Sequence, residues 1–305
     1  MDIRQIRHFV SVAEELHFGR AAERLGMTQP PLSQSIQMIE AELGLKLFER
    51  TRRSVALTPV AREWLPHARR VLDEATALPQ IARRLSRGEI GTVRLSFISF
   101  VSYSFLPLLV RRFKEHYPEV ELVLRESTSD VQIAELLDGT LDAGVIIAPP
   151  RGSLPSLLRY VPIEREALVV AVPEEWIVSG RLTPAGGRLR FEALRDLPVI
   201  LFPRDSAPAL HDLVTRYYAE HGAAPVAGQQ AVQMQTIINL VSSGLGIAFV
   251  PATMRNLVRP GVAYLRLAER QPEIEIGLAF RDLGGSAAVR HLAALAGELF
   301  PARSR

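Results

Sequence analysis

Apolar residues in the first sixteen positions fall at Ile3, Ile6, Phe9, Val10, Ala13 and Leu16, the three-and-four spacing of an amphipathic helix. The segment "FGRAAERLG" predicts a shorter helix that packs Ala21, Ala22 and Leu25 and stops at Gly26, which tolerates a left-handed turn. In "TQPPLSQSIQMIE", Thr28 supplies an N-cap oxygen and Pro30-Pro31 fall in the first helical turn, where no intrahelical hydrogen bond is lost. At about 100° per residue, Leu32, Ile36, Ile39 and Leu43 form one buried stripe of this third helix. Pro30, Ser33, Gln34 and Gln37 point the other way, so the exposed face carries uncharged amides and a hydroxyl.

"LFERTRRSVALT" then predicts a hairpin, Leu47–Arg50 against Ser54–Leu57 around Thr51-Arg52-Arg53. Two helices, a capped third helix and a basic hairpin make a winged helix-turn-helix. Glutamines at the start of the third helix suit base edges in a major groove, and arginines at a wing suit phosphates or a minor groove. The expected DNA contacts are Thr28, Gln29, Pro30, Ser33, Gln34, Gln37, Arg50, Arg52 and Arg53.

Thr58-Pro59 opens a further helix that should end at Gly88, a rod of roughly 43 Å. Trp64, Ala68, Val71, Ala75, Leu78, Ala82 and Leu85 alternate by four and three, a heptad seam that favours a partner helix and hence a homodimer. Pro66 and Pro79 each remove a hydrogen bond and should kink or interrupt the helix, with a bend near Pro79.

From residue 91 the pattern changes to short apolar runs alternating with amphipathic stretches. "TVRLSFIS", "VELVLRES" and "DAGVII" predict strands, separated by helices in "FLPLLVRRFKEHYP" and "DVQIAELLDG". A second region follows the same rhythm through "EALVVAVP", "LPVILFP", "APALHDLVTRYYAEHG", "MQTIINLVSSG" and "GIAFVP", before "IEIGLAFRD" and "AAVRHLAALAGELF" close the chain. This is an α/β class with βαβ units and a parallel sheet.

Composition narrows the function. The basic surplus of +3 lies entirely in residues 1–90, and "ERTRRS" concentrates it, as a DNA-binding module ahead of a neutral domain would. With zero cysteines there is no disulfide, no thiolate metal site and no cysteine nucleophile. No apolar run is long enough for a membrane helix and "MDIRQIRHF" lacks a signal peptide's apolar core, so a soluble cytoplasmic protein is expected. The seven histidines form no HxxxH pair, and neither GxSxG nor GxxxxGK[ST] occurs. "GLG" at 244–246 follows a helix and reads as its stop, while Asp142 reads as structural. Neither an enzyme nor a resident cofactor is expected.

The stretch from "FVSVAEELHFGRAAERLGMTQPPLSQSI" to "LFERTRRSVALT" resembles the DNA-binding domain of LysR-type transcriptional regulators nearly continuously over residues 2–62. Family members often carry a basic residue where this chain has Gln34, so its base contacts should differ from theirs. The resemblance implies a linker helix that pairs the DNA-binding domains, usually within a tetramer. It also implies an effector domain of two subdomains with a periplasmic-binding-protein fold. The expected boundaries are 1–58, 59–88 and 89–305, with subdomain I at 89–162 and 267–305 and subdomain II at 163–266.

In such a fold a ligand sits at loops after the carboxyl ends of strands. Three candidate loops are Ser99-Phe100-Val101-Ser102, Ser127-Thr128-Ser129 and Phe202-Pro203-Arg204. Ser99 and Thr128 match the hydroxyl pair that grips a carboxylate in relatives responding to aromatic-degradation intermediates, although the same residues also suit helix N-caps. The expected effector is a small organic anion. The alternative is a solute-binding protein with no regulatory DNA role.

Overall fold

The computed structural model describes residues 1–51, 54–150, 152–282 and 285–301. The chain forms two compact units, Met1–Arg83 and Arg84–Arg305.

In the first unit, helix α1 (Ile3–Glu15) starts with a capping box. Asp2 accepts the Gln5 backbone N–H at 2.8 Å, and Gln5 Oε1 accepts that of Asp2 at 2.8 Å. Leu16 closes α1 in a left-handed conformation at φ 46°. Helix α2 (Phe18–Arg24) is capped by the His17 imidazole, which accepts the N–H groups of Gly19 and Arg20. Gly26, at φ +66°, supplies the turn into α3 (Gln29–Leu43).

Thr28 occupies the N-cap position of α3 with extended backbone, but its side chain makes no capping hydrogen bond. The prolines explain this departure. A cap oxygen accepts from the second or third helical residue, and here those are Pro30 and Pro31, which have no N–H. Leu32, Ile36 and Ile39 are fully buried, whereas Leu43 in the last turn is 38% exposed and Glu40 takes the inner position instead. Strands β1 (Phe48–Arg50) and β2 (Val55–Leu57) pair antiparallel, Phe48 opposite Leu57.

Helix α4 (Pro59–Ser86) opens with the Ala61 N–H donated to Thr58 Oγ1 and is followed by Gly88 at φ +66°. Of the expected kink or interruption at Pro66 and Pro79, the interruption does not occur: one helix runs through both. Both rings lie on exposed positions of the helix. The expected pairing seam divides. Trp64 and Ala68 pack into the core of the first unit, with the Trp64 and Phe9 rings 4.5 Å apart, so these two belong to the domain itself. Val71, Leu78, Ala82 and Leu85 remain exposed and Ala75 is half-buried.

The second unit begins with β3 (Gly91–Phe97), a 3-10 turn (Ser99–Tyr103), α5 (Leu106–His116), β4 (Val120–Glu126), α6 (Ser129–Asp138) and β5 (Ala143–Ile147). A long strand, β6 (Leu158–Pro173), leads to α7 (Glu174–Val178), β7 (Arg188–Leu189), β8 (Pro198–Leu201), α8 (Pro208–Glu220) and β9 (Val226–Gln230). Helix α9 (Met234–Ser242), β10 (Ala248–Pro251), β11 (Val262–Leu267), β12 (Glu273–Arg281) and α10 (Ala287–Leu299) complete it.

Strand β3 pairs parallel with β4 and β5, and β12 joins antiparallel to β5 and β6, giving the order β4-β3-β5-β12-β6-β11-β7. The sheet is therefore mixed rather than parallel throughout. Strand β6 joins both halves of the unit: it pairs with β12 from Leu158 to Ala167, then with β10 from Leu168. The change of partners falls at Ala167/Leu168, later than the crossing expected near 162, because the ladder continues past Pro162 with one register shift. The second crossing lies between β11 and β12. Asp142 is structural, accepting both the backbone N–H of Arg94 at 2.8 Å and its guanidinium.

Candidate functional site

Two groups of side chains stand apart from the packing. The first is the outer face of α3. Its buried stripe fixes the helix against α1 and α2, which turns Gln29, Gln34 and Gln37 outward and leaves Ser33 half-buried. None of Thr28, Gln29, Ser33, Gln34 or Gln37 has a side-chain hydrogen bond to another described residue, so their donors and acceptors are available. Pro30 is exposed beside them. Ser35, one residue from Gln34, is instead tied to His8 Nδ1 at 2.8 Å.

Arg50, at the end of β1, lies with its guanidinium 4.3 Å above the Phe18 ring, which orients an exposed cation next to the helix-turn-helix. Arg52 and Arg53 lie outside the described residues. The wing's start is set by Glu40. Its carboxylate, 4% exposed, accepts the backbone N–H groups of Leu47 at 2.8 Å and Phe48 at 3.2 Å. Burial alone would raise the Glu40 pKa, but those N–H groups and the Lys46 ammonium outweigh it and hold it below the ordinary carboxylate value.

The second group lines a cavity of about 470 Å³ in the second unit. It is formed where β3, β4, β5, β8 and β9 end, and where β12 begins. Ser99 and Phe100 follow β3, Thr128 and Ser129 follow β4, and Phe202 follows β8. Neither Ser99 Oγ nor Thr128 Oγ1 has a partner among the described residues, and Thr128 forms no capping bond. Ser129 Oγ accepts the Ile147 N–H at 3.1 Å, which leaves its own proton to give. Ser127 Oγ is buried there with no partner among the described residues. The N-termini of α6, α8 and α9 all open onto this space, through Thr128–Asp130, Ala207–Ala209 and Gln233–Met234.

Four of the expected effector contacts do not line the cavity. Val101 is fully buried in the hydrophobic core beneath the 3-10 turn that follows β3. Ser102 Oγ donates to the Ser99 carbonyl at 2.6 Å and closes that turn. The Pro203 carbonyl accepts the Ala207 N–H at 2.9 Å. Arg204 pairs with Asp212 at 2.9 Å rather than reaching across the cleft. Sequence reasoning missed Asp130, one residue after the "STS" loop, and also Arg216, Gln233, Met234 and Ile274. Their positions on α6, α8, α9 and β12 carry no local signal of convergence. No cluster of His, Cys, Asp or Glu among the described residues suits a metal ion. Likewise, no described helix is long and apolar enough to cross a membrane.

Comparison with known proteins identifies the family of both units. Residues 3–62 match the bacterial regulatory helix-turn-helix of the lysR family, and residues 86–301 match the LysR substrate binding domain. The chain is 53% identical over 281 residues to the HTH-type transcriptional regulator IlvR of Caulobacter vibrioides, covering 92% of each. It is 34% identical to AlsR of Bacillus subtilis, covering 95% of this chain and 94% of that one. Among solved structures, full-length CbnR complexed with its target DNA superposes with a TM-score of 0.70 at 28% identity, covering 98% of this chain and 99% of CbnR. The chain belongs to the LysR family of bacterial transcriptional regulators, a family of DNA-binding proteins with effector domains and not of enzymes.

Proposed function

We propose that this protein binds promoter DNA as a homo-oligomer, reading bases with Gln29, Ser33, Gln34 and Gln37, and responds to a small organic anion held in the cavity of its second unit. The observation that carries the effector half is the convergence of three helix N-termini on a cavity that also holds the free hydroxyls of Ser99 and Thr128. Helix N-termini present unpaired N–H groups and a positive dipole end, which favour an anion. Phe100 and Phe202 offer an apolar body their faces, and Arg216 adds a cation. The Ser99 and Thr128 pair links the site to relatives that respond to aromatic-degradation intermediates; for this chain the reading is a carboxylate attached to an apolar body.

The DNA half rests on the free polar face of α3 and on likeness to CbnR, whose structure holds its target DNA. Arg50, Arg52 and Arg53 are assigned to phosphates or the minor groove, and Val71, Leu78, Ala82 and Leu85 to a dimer through α4 within a tetramer. Such a role is a cytoplasmic one. A gel shift on the DNA upstream of the protein's own coding region tests it, first with the free protein and then with Ser99→Ala and Thr128→Val. Retarded DNA in all three, with an inducer response in the wild type alone, is the expected result. Absence of binding to any promoter, with tight small-molecule binding, would favour a solute-binding protein instead.

A further inference from the structure

The charge lining the cavity is at odds with a ligand that is only an anion. Among its described lining residues are five carboxylates, Glu126, Asp130, Asp212, Glu273 and Glu275, against the single cation Arg216. Two of the five are neutralised, Asp212 by Arg204 at 2.9 Å and Glu275 by Arg165 at 2.8 Å. Glu126, Asp130 and Glu273 have no ion pair with any described residue. Asp130 is the sharper case, because its Oδ1 is buried and has no hydrogen-bond partner among the described residues. A carboxylate oxygen withdrawn from water without a donor is costly unless a ligand supplies one. Asp130 also lies in the first turn of α6, beside Thr128 on the same loop.

We infer that the effector is a zwitterion, an apolar α-amino acid, and this rests on the reading that the cavity holds an effector. The arrangement assigns its two charges to one loop. Thr128 and the N–H groups at the start of α6 meet the carboxylate, while Asp130 and Glu126, each two residues from Thr128, meet the ammonium. An α-amino acid carries both charges on one carbon, so neighbouring residues of a single turn can address them together. Ser99 completes the carboxylate's donors from the strand beside β4. An apolar part of the lining, with Phe100, Ile133, Phe202, Leu210, Met234 and Ile274, offers a place for the side chain. A 2-oxo acid of the same skeleton offers no donor to Asp130, and the corresponding amine leaves the helix N-termini without their anion. Either loss removes a charge-assisted hydrogen bond.

The test is isothermal titration of the full-length protein with each apolar L-amino acid, its 2-oxo acid and its decarboxylated amine. At least one amino acid is expected to bind roughly tenfold or more tightly than both analogues, the scale of one lost charged hydrogen bond. Asp130→Asn and the more exposed Glu126→Gln should reduce the preference for that amino acid over its oxo acid. A 2-oxo acid that binds as tightly as its amino acid would overturn the zwitterion and leave the anion reading standing. An amine that binds as tightly would overturn both. If no amino acid binds while the promoter gel shift still forms, the amino-acid class is wrong and the regulatory reading is untouched.

Discussion

Glu40 Oε1 accepts the backbone N–H of Leu47 at 2.8 Å, which ties α3 to the first residues of the wing from inside the core. Removing that acceptor leaves the Leu47 and Phe48 N–H groups buried without partners, a loss of about 1–3 kcal/mol. Glu40→Ala should therefore lower the stability of the first unit by that amount near neutral pH. The sign of the pH dependence follows from the depressed pKa of Glu40. Its stabilisation is present above the ordinary carboxylate pKa of 4.5 and is lost as pH falls through the lower folded value. Urea unfolding at pH 7 and in acid should show the variant's deficit shrinking toward low pH; a deficit that grows there would contradict the role assigned to Glu40.

The two DNA-facing groups should separate by their dependence on sequence and salt. Gln37 is exposed and free, and its replacement by Ala should change base preference by about 1–3 kcal/mol for a lost bidentate contact. Arg50, oriented by the Phe18 ring, should act on any sequence alike. Arg50→Ala should weaken all DNA comparably and flatten the log–log salt dependence by about one unit. Titrations of specific and random duplexes at several salt concentrations distinguish them. Equal losses on both duplexes for Gln37→Ala would remove it from base reading.

The divided seam of α4 predicts two different failures from similar substitutions. Leu78 is 60% exposed and Leu85 48%, so Leu78→Glu or Leu85→Glu should leave each unit folded but put a charge into the pairing face. Sedimentation should then report a smaller assembly than that of the wild type, and affinity for a two-half-site operator should collapse with the lost effective concentration. Trp64, packed on Phe9, is different. Trp64→Ala should cost about 3 kcal/mol of stability in the first unit. A Leu78→Glu protein whose assembly size equals that of the wild type would move the pairing elsewhere.

What the amino-acid order discloses depends on how local the cause is. The buried stripe of Leu32, Ile36 and Ile39 was legible because helical periodicity is a property of neighbouring residues. Glu40 was not, since its partners lie across a turn and an acid on an apolar face gives no sign of what satisfies it. Strand β9 was missed because all of Val226–Gln230 is exposed and no apolar alternation marks it. Pro162 concealed the first half of β6. Trp64 and Ala68 followed the seam's spacing, yet spacing alone does not tell a domain's own core from a partner helix. In the cavity, Ser99, Phe100, Thr128, Ser129 and Phe202 were readable as residues following strands. Arg216, Met234 and Ile274 join them only through the crossover of the sheet, which no short window of sequence contains.

Glu166 gives a pH dependence opposite to that of Glu40. It lies on β6 opposite Ile274, one residue before the strand begins to change partners, and is 5% exposed. Oε1 accepts the Thr253 N–H, while Oε2 is buried with no partner among the described residues. Burial pushes its pKa up, the Thr253 hydrogen bonds oppose this, and the charge of Glu164 on the same strand adds to the rise. A raised carboxylate pKa means that the folded state holds the proton longer than the unfolded one. Its contribution is fully present below the ordinary value of 4.5 and is lost as pH rises through the folded value. Glu166→Gln keeps an acceptor for Thr253 and removes the charge. The variant should match the wild type near pH 4, where both side chains are neutral. At pH 7 it should exceed the wild type, because the variant no longer carries a charge that burial disfavours. Chemical denaturation at the two pH values decides it. A wild type more stable than the variant at pH 7 would mean that the Glu166 carboxylate has a partner that the strand crossing does not reveal.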